Sequence, residues 1–262
     1  NKHIVMVQKI SYPETLEGMI AHLTQKVGKS VPAFEIEEKA ALALEINRIK
    51  KERNAIILGH NYMEPALFNS IPDYVGDSLG LSRIAADTTA DIILFCGVRF
   101  MAETAKIVNP TRKVLLPAKK AGCSLASSIT PQDVRDLKER YPGVPVVTYI
   151  NTYAAVKAEC DVCCTSGNAN KVVNNLDSDV VICIPDEFLA RNIARDTGKK
   201  VITPGGVLEQ DTMVVWDGKC EVHEQFTVQD IEQVRAQFPE TLVVAHPECP
   251  PEVVEAADFS GS

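Results

Sequence analysis

The sequence predicts an α/β protein made of three αβα units on parallel sheets, related by pseudo-threefold symmetry, with the third unit incomplete within these 262 residues. Two observations predict it. Short β-branched runs alternate with amphipathic stretches, which is the pattern of βαβ units. The same landmarks also recur at constant spacing, which marks an internal repeat. Thr130, Pro142 and Cys123 each have a counterpart 97 residues on, at Thr227, Pro239 and Cys220.

Residues 1–35 carry no motif and read as an N-terminal extension. The first unit, 36–127, has strand runs at 55–58, 92–95 and 114–116. The second, 128–222, has them at 146–149, 180–182 and 201–202, and the third, 223–262, at 242–245. Two helices have readable ends. Thr130 is placed to N-cap, with Pro131 at the first helical position, Asp133 in the first turn, Val134, Leu137 and Tyr141 on one face, and Pro142-Gly143 as a stop. Thr227 repeats the device with Asp230, a stripe of Ile231, Val234 and Phe238, and Pro239.

Extended backwards, the repeat places His60, Tyr149 and His246 at three equivalent strand ends. An aspartate follows each after twelve or thirteen residues, at Asp73, Asp161 and Asp258. Ser78 and Ser166 come five residues after the first two aspartates, and helical sequence follows both. A third hydroxyl is expected one residue beyond Ser262. Second strands align from Asp91 and Asp179, and third strands from Lys113 and Lys200. Each complete unit ends in its cysteine, and the third cysteine is expected beyond Ser262. The chain also starts at Asn1 and stops without a helix-ending signal, so a fragment is expected.

Composition narrows the function classes. Hydrophobic residues make up 45% of the chain, enough for a large core, which excludes a disordered tail or a disulfide miniprotein. A net charge of −8 argues against a nucleic-acid groove, which needs clustered positive charge, whereas small anionic substrates need only local donors. No apolar run reaches the length of a membrane helix and no signal peptide is visible, so a soluble cytoplasmic protein is expected. Eight cysteines in such a chain read as thiols or metal ligands rather than disulfides.

In parallel sheets, functional groups gather at the carboxyl ends of strands, which here carry His60-Asn61-Tyr62, Tyr149-Ile150-Asn151 and His246-Pro247-Glu248. Ser78 and Ser166 open helices, where hydroxyl, backbone N–H groups and dipole can together hold a carboxylate or phosphate. Cys96 and Cys183 sit in apolar strands and read as inert thiols. Cys160, Cys163 and Cys164 resemble half a zinc or redox motif with no second half. Cys123 and Cys220, with the third equivalent, form a symmetric three-thiolate site. Three thiolates on a [4Fe–4S] cluster leave one iron open as a Lewis acid.

Gly59-His60-Asn61-Tyr62, Asp73-Tyr74-Val75-Gly76-Asp77-Ser78, Phe100-Met101-Ala102-Glu103 and His246-Pro247-Glu248-Cys249-Pro250 resemble the quinolinate synthase family. Tyr149-Ile150-Asn151-Thr152, Cys164-Thr165-Ser166 with Asn168-Ala169, and Gly218-Lys219-Cys220 with His223 extend the resemblance over roughly 40–262. It implies three Rossmann-like αβα units around a central [4Fe–4S] cluster. The implied reaction is condensation of iminoaspartate with dihydroxyacetone phosphate to quinolinate for NAD synthesis, with loss of phosphate and two waters. Cys123 and Cys220 would be two cluster ligands, with the third in a C-terminal Cys-x-Asn-Met motif beyond Ser262. Ser78, Tyr149, Asn151 and Ser166 would hold substrate, His60 and His246 would donate, and Glu248 and Tyr62 would move protons. L-Aspartate oxidase would supply iminoaspartate. The 262 residues alone are then not expected to hold a complete cluster or turn over.

Two rival readings stand beside this one. Diphthamide-forming radical enzymes also bring cysteines from three units together, but the strand-end His-Asn-Tyr and His-Pro-Glu triplets argue against them. The other is an α/β binding module with a structural zinc at Cys160, Cys163 and Cys164.

Overall fold

A computed structural model describes residues 7–261; the first six residues of the N-terminal extension, and Ser262, lie outside the described residues. The chain forms two compact units, Asn1–Ala121 and Gly122–Ser262.

The first unit runs β1 (Gln8–Lys9), α1 (Leu16–Val27), α2 (Ala33–Glu52), β2 (Ala55–His60), α3 (Pro65–Phe68), β3 (Tyr74–Gly76), α4 (Ser78–Asp87), β4 (Ile92–Cys96), α5 (Arg99–Val108) and β5 (Lys113–Leu115). Its sheet has the order β1-β3-β2-β4-β5, parallel except for β1, which pairs antiparallel with β3. Met19, Leu23 and Val27 of α1 and Ile36, Ala40 and Ala43 of α2 pack with Ile57 of β2. Leu58, the next residue along β2, points to the opposite face and is also buried, so both faces of this strand are covered.

The second unit runs α6 (Pro131–Arg140), β6 (Val146–Tyr149), α7 (Ala154–Lys157), β7 (Val162–Cys164), α8 (Ala169–Asn174), β8 (Val181–Ile184), α9 (Glu187–Thr197), β9 (Lys200–Ile202), β10 (Thr212–Val215), α10 (Val228–Gln237), β11 (Val244–Ala245), α11 (Pro251–Ala256) and β12 (Phe259–Ser260). Five strands form a parallel sheet in the order β7-β6-β8-β10-β9, and β11 and β12 form a separate parallel pair. The expected helix starts are present: Thr130 and Thr227 each accept from the backbone N–H three residues on, while Asp133 and Asp230 bond back.

The register corrects one part of the repeat. The sequence aligns the strand at Lys113 with that at Lys200, but β10, not β9, takes the place beside β8 that β5 takes beside β4. Ile93 opposes Val114 on β4 and β5, and Val181 opposes Met213 on β8 and β10. β9 is therefore an added edge strand, and its Lys-Val-Ile-Thr-Pro wording matches β5 without sharing its position. The run at 242–245 is also shorter than expected: only Val244 and Ala245 pair, because β12 offers two partners.

The repeated aspartates have a structural use. Asp73, Asp161 and Asp258 accept, each at 2.8 Å, the backbone N–H of Ile57 on β2, of Val146 on β6 and of Val243 just before β11. Each is also paired with a cation from the preceding helix region, Lys50, Lys138 and Arg235. The device fastens the start of the second strand to the first at three places along the chain.

Candidate active site

The second unit gathers its strand-end residues around one buried carboxylate. Glu248 is 3% exposed. Asn151, two residues past the end of β6, donates through Nδ2 to Glu248 Oε1 at 3.3 Å. The Tyr149 hydroxyl meets Glu248 and Ser166, and Ser166 Oγ lies 3.5 Å from His246 Nε2. His246 Nδ1 accepts the Glu248 backbone N–H at 3.2 Å, which folds the His-Pro-Glu turn back on itself. His223 Nδ1 stands 2.9 Å from Glu248 Oε2, within ion-pair distance but off the line of a hydrogen bond, and its ring stacks on His246 with centroids 4.7 Å apart.

Local sequence explains these placements. The Lys157 ammonium, at the end of α7, donates to the carbonyls of Ile150 and Thr152, so the residue between them, Asn151, is held in its turn. Asn168 accepts the Thr165 N–H at 2.6 Å and fixes the turn that carries Ser166. Ser166 precedes the helix by three residues, and Asn168 is the N-cap of α8. In the first unit Ser78 is the first residue of α4, and Asp77 caps it by accepting from Gly80. The expectation that these serines sit at helix openings thus needs correction in detail: the Asp77 carboxylate takes the capping bond of α4, α8 has no side-chain capping bond, and neither hydroxyl is used as a cap.

Electrostatics sort the titratable groups. Burial and then the Glu248 carboxylate push the Tyr149 phenol well above its ordinary range, so it stays a neutral donor. Burial lowers His246, which keeps it neutral. The neighbouring Cys220 sulfur, and then the Glu248 carboxylate, raise His223 to about 10 against the opposing effect of burial. Asp186, buried and N-capping α9, is raised to about 8 by burial and by the Glu248 charge.

All eight cysteines are free. Cys123 and Cys220 lie close enough to influence each other electrostatically. Burial raises the Cys123 thiol, while the backbone N–H groups of Ala126 and Leu125 point at its sulfur and oppose that rise. Amides aimed at a sulfur suit a thiolate that carries charge, as a cluster ligand does. The pair therefore fits two ligand positions of an iron–sulfur cluster. Cys220, His223 and Glu248 also have ligand atoms within 4.8 Å of one another, and among the described residues this is the only such group of three His, Cys, Asp or Glu side chains. The zinc reading at Cys160, Cys163 and Cys164 has no such grouping, because Cys163 and Cys164 are consecutive on β7 and point to opposite faces. Burial pushes Cys160 and Cys183 up to about 12 and Cys96 to about 11, which makes them poor thiolates at neutral pH.

His60, Tyr62 and Ser78 belong to the first unit and form their own group. Ser78 Oγ lies 3.4 Å from His60 Nε2, and the His60 and Tyr62 rings lie 4.0 Å apart. Tyr62 is 57% exposed, with its hydroxyl donating to Met101 Sδ at 3.3 Å. The His–Ser contact of this unit has a counterpart in Ser166 and His246 of the second.

Residues 44–262 match the family described as NadA, Quinolinate synthetase A protein. The chain belongs to that family. Curated quinolinate synthases are similar to it along most of its length: 54% identical over 253 residues to the protein of Sinorhizobium fredii, covering 97% of this chain and 67% of that one. The protein of Caulobacter vibrioides is 54% identical over 251 residues, covering 94% and 65%, and that of Xylella fastidiosa 55% over 217 residues, covering 83% and 60%. The chain thus spans about two thirds or less of the length of these relatives. Membership of the quinolinate synthase family removes the diphthamide-type alternative. No helix among the described residues is long and apolar enough to cross a membrane.

Three residues of this site were not singled out as functional from sequence. His223, three positions after Cys220, carried a usable signal in its Cys-x-x-His spacing. Asp186 and Asn192 carried none, since each reads as an ordinary helix-start or helix residue until the fold places it.

Proposed function

We propose that this protein is a quinolinate synthase, a transferase of NAD biosynthesis that condenses iminoaspartate with dihydroxyacetone phosphate to quinolinate, releasing phosphate and two waters. The observation that carries this reading is the buried Glu248 carboxylate, ringed by Asn151, Tyr149, His223 and His246 in the unit that also holds Cys123 and Cys220. Cys123 and Cys220 are assigned as two ligands of a [4Fe–4S] cluster, with a third cysteine beyond Ser262. When bound, the cluster would supply an open iron as a Lewis acid for the substrate oxygen that is expelled.

The chain's own residues would do the rest. Glu248 takes and returns the protons released in dehydration, and Asn151 holds its Oε1 in place. Tyr149 and Ser166 offer neutral hydroxyl donors to a substrate carboxylate or phosphate, and His246 offers a neutral ring nitrogen. Burial around Glu248 keeps water from the hydrolysable imine. From the first unit, His60 and Ser78 are assigned to the second set of substrate oxygens and Tyr62 to proton movement. The enzyme is assigned to the cytoplasm, with L-aspartate oxidase as supplier of iminoaspartate. The test is anaerobic incubation of the full-length, cluster-loaded protein with iminoaspartate and dihydroxyacetone phosphate. Quinolinate and equimolar phosphate are expected, and their absence at full cluster content would overturn the reading.

A further inference from the structure

Helix α9 reaches the catalytic turn through a residue that the assignments above leave unused. Asn192 is 3% exposed, and its Nδ2 donates to two backbone carbonyls, Pro247 O at 2.9 Å and Cys249 O at 3.1 Å. These two carbonyls flank Glu248. Both amide hydrogens of Asn192 are thereby spent on the peptide units before and after the carboxylate, while its Oδ1 is buried with no hydrogen-bond partner among the described residues. A buried amide oxygen without a partner costs stability, so an amide serving packing alone would be poorly placed here.

The helix that carries Asn192 is well anchored. Asp186 caps it by accepting the Leu189 N–H at 2.7 Å, and Gly198 closes it in the left-handed conformation at φ 75°. Leu189, Ala190, Ile193 and Ala194 are buried, so α9 is a fixed reference. The side chains of the turn it grips reach Asn151 and Ser166, but its backbone N–H groups bond inward, Cys249 N–H to His246 O at 2.9 Å and the Glu248 N–H to His246 Nδ1. Both of those bonds lie inside the turn, and neither fixes its position against the sheet.

We infer that Asn192 is a positioning residue for Glu248, a two-pronged clamp that transmits the placement of α9 to the carboxylate. The inference rests on the proposed function for its kinetic consequence, but the clamp itself can be read without turnover. Lys157 uses the same device around Asn151, and the two clamps hold the two ends of the Asn151–Glu248 hydrogen bond.

The test uses the full-length protein carrying Asn192→Ala, with Asn192→Asp as a second variant that keeps the shape but presents a carboxyl to the two carbonyls. Cluster absorbance is expected to be retained in both, because neither Cys123 nor Cys220 bonds to α9. Amide hydrogen exchange at Glu248 and Cys249 should accelerate while that of Val181–Ile184 stays unchanged. The kcat should fall by about 100-fold with KM nearly constant, the cost of a misplaced catalytic group. Unchanged exchange at 248 and 249, or kcat equal to that of the parent, would overturn the clamp. Loss of the cluster in both variants would overturn it too, by showing that Asn192 serves the fold. If the parent itself makes no quinolinate, the functional reading fails, and the exchange measurement still decides whether Asn192 holds the turn.

Discussion

Asn151 Nδ2 and Glu248 Oε1 meet at 3.3 Å although the residues lie 97 positions apart. The contact joins the end of β6 to the turn after β11, so the carboxylate is oriented by a residue whose own turn is fixed by Lys157. Glu248→Gln preserves the shape and removes the base. Cluster absorbance should stay at the parental level, while kcat falls by about 10²- to 10⁴-fold, the usual contribution of a positioned general base. A Gln variant with parental turnover would remove Glu248 from the chemistry.

Gly218 is where backbone packs too closely for a side chain. It bridges Asp186, accepts the Glu187 N–H at its carbonyl at 2.7 Å, and leaves a Cβ no room beside Pro185 O and Ser128 Oγ. Gly218→Ala should push the Lys219–Cys220 segment away and lower iron content, though no ligand is changed. Parental iron content would show that the cysteine tolerates the shift.

Asp186 gives a pH prediction. Its folded-state pKa is about 8, against about 4 when unfolded, so the folded protein holds an extra proton between those values. Its contribution to stability is then best below pH 4 and declines as pH rises towards 8, by about 1.4 kcal/mol per pH unit at most. Asn at this position keeps a good helix cap and cannot ionise. Asp186→Asn should therefore gain on the parent in urea denaturation as pH rises from 5 to 8. Parallel stability curves for the two proteins would contradict the assignment.

The strand-fastening aspartates predict a stability loss separate from catalysis. Asp161→Ala leaves the N–H of fully buried Val146 without its charged acceptor. The expected cost is about 2 kcal/mol, read as a lower urea midpoint with unchanged slope. An unshifted midpoint would show that water replaces the carboxylate.

Much of this was legible before the fold was known, for physical reasons. Thr130-Pro131 and Thr227 announce helices because capping is local chemistry, and both capping boxes form. His60, Tyr149 and His246 were readable because residues at strand ends recur with the repeat. β10 was missed, and β9 put in its place, because order within a sheet is set by packing, while a Lys-Val-Ile sequence fits an edge strand as well as an inner one. Asp186 and Asn192 were silent for the same reason: their importance comes from what lies across from them, at Gly218 and at the carbonyls around Glu248.

The most direct test of the account is anaerobic iron and sulfide content after identical reconstitution of the 262-residue chain, of a protein with the full length of its relatives, and of the latter carrying Cys220→Ser or Cys160→Ser. About four irons and four sulfides are predicted for the long protein and its Cys160 variant, and for neither of the others. A stable cluster in the 262-residue chain, or in the Cys220 variant, would contradict the assignment of the three ligands.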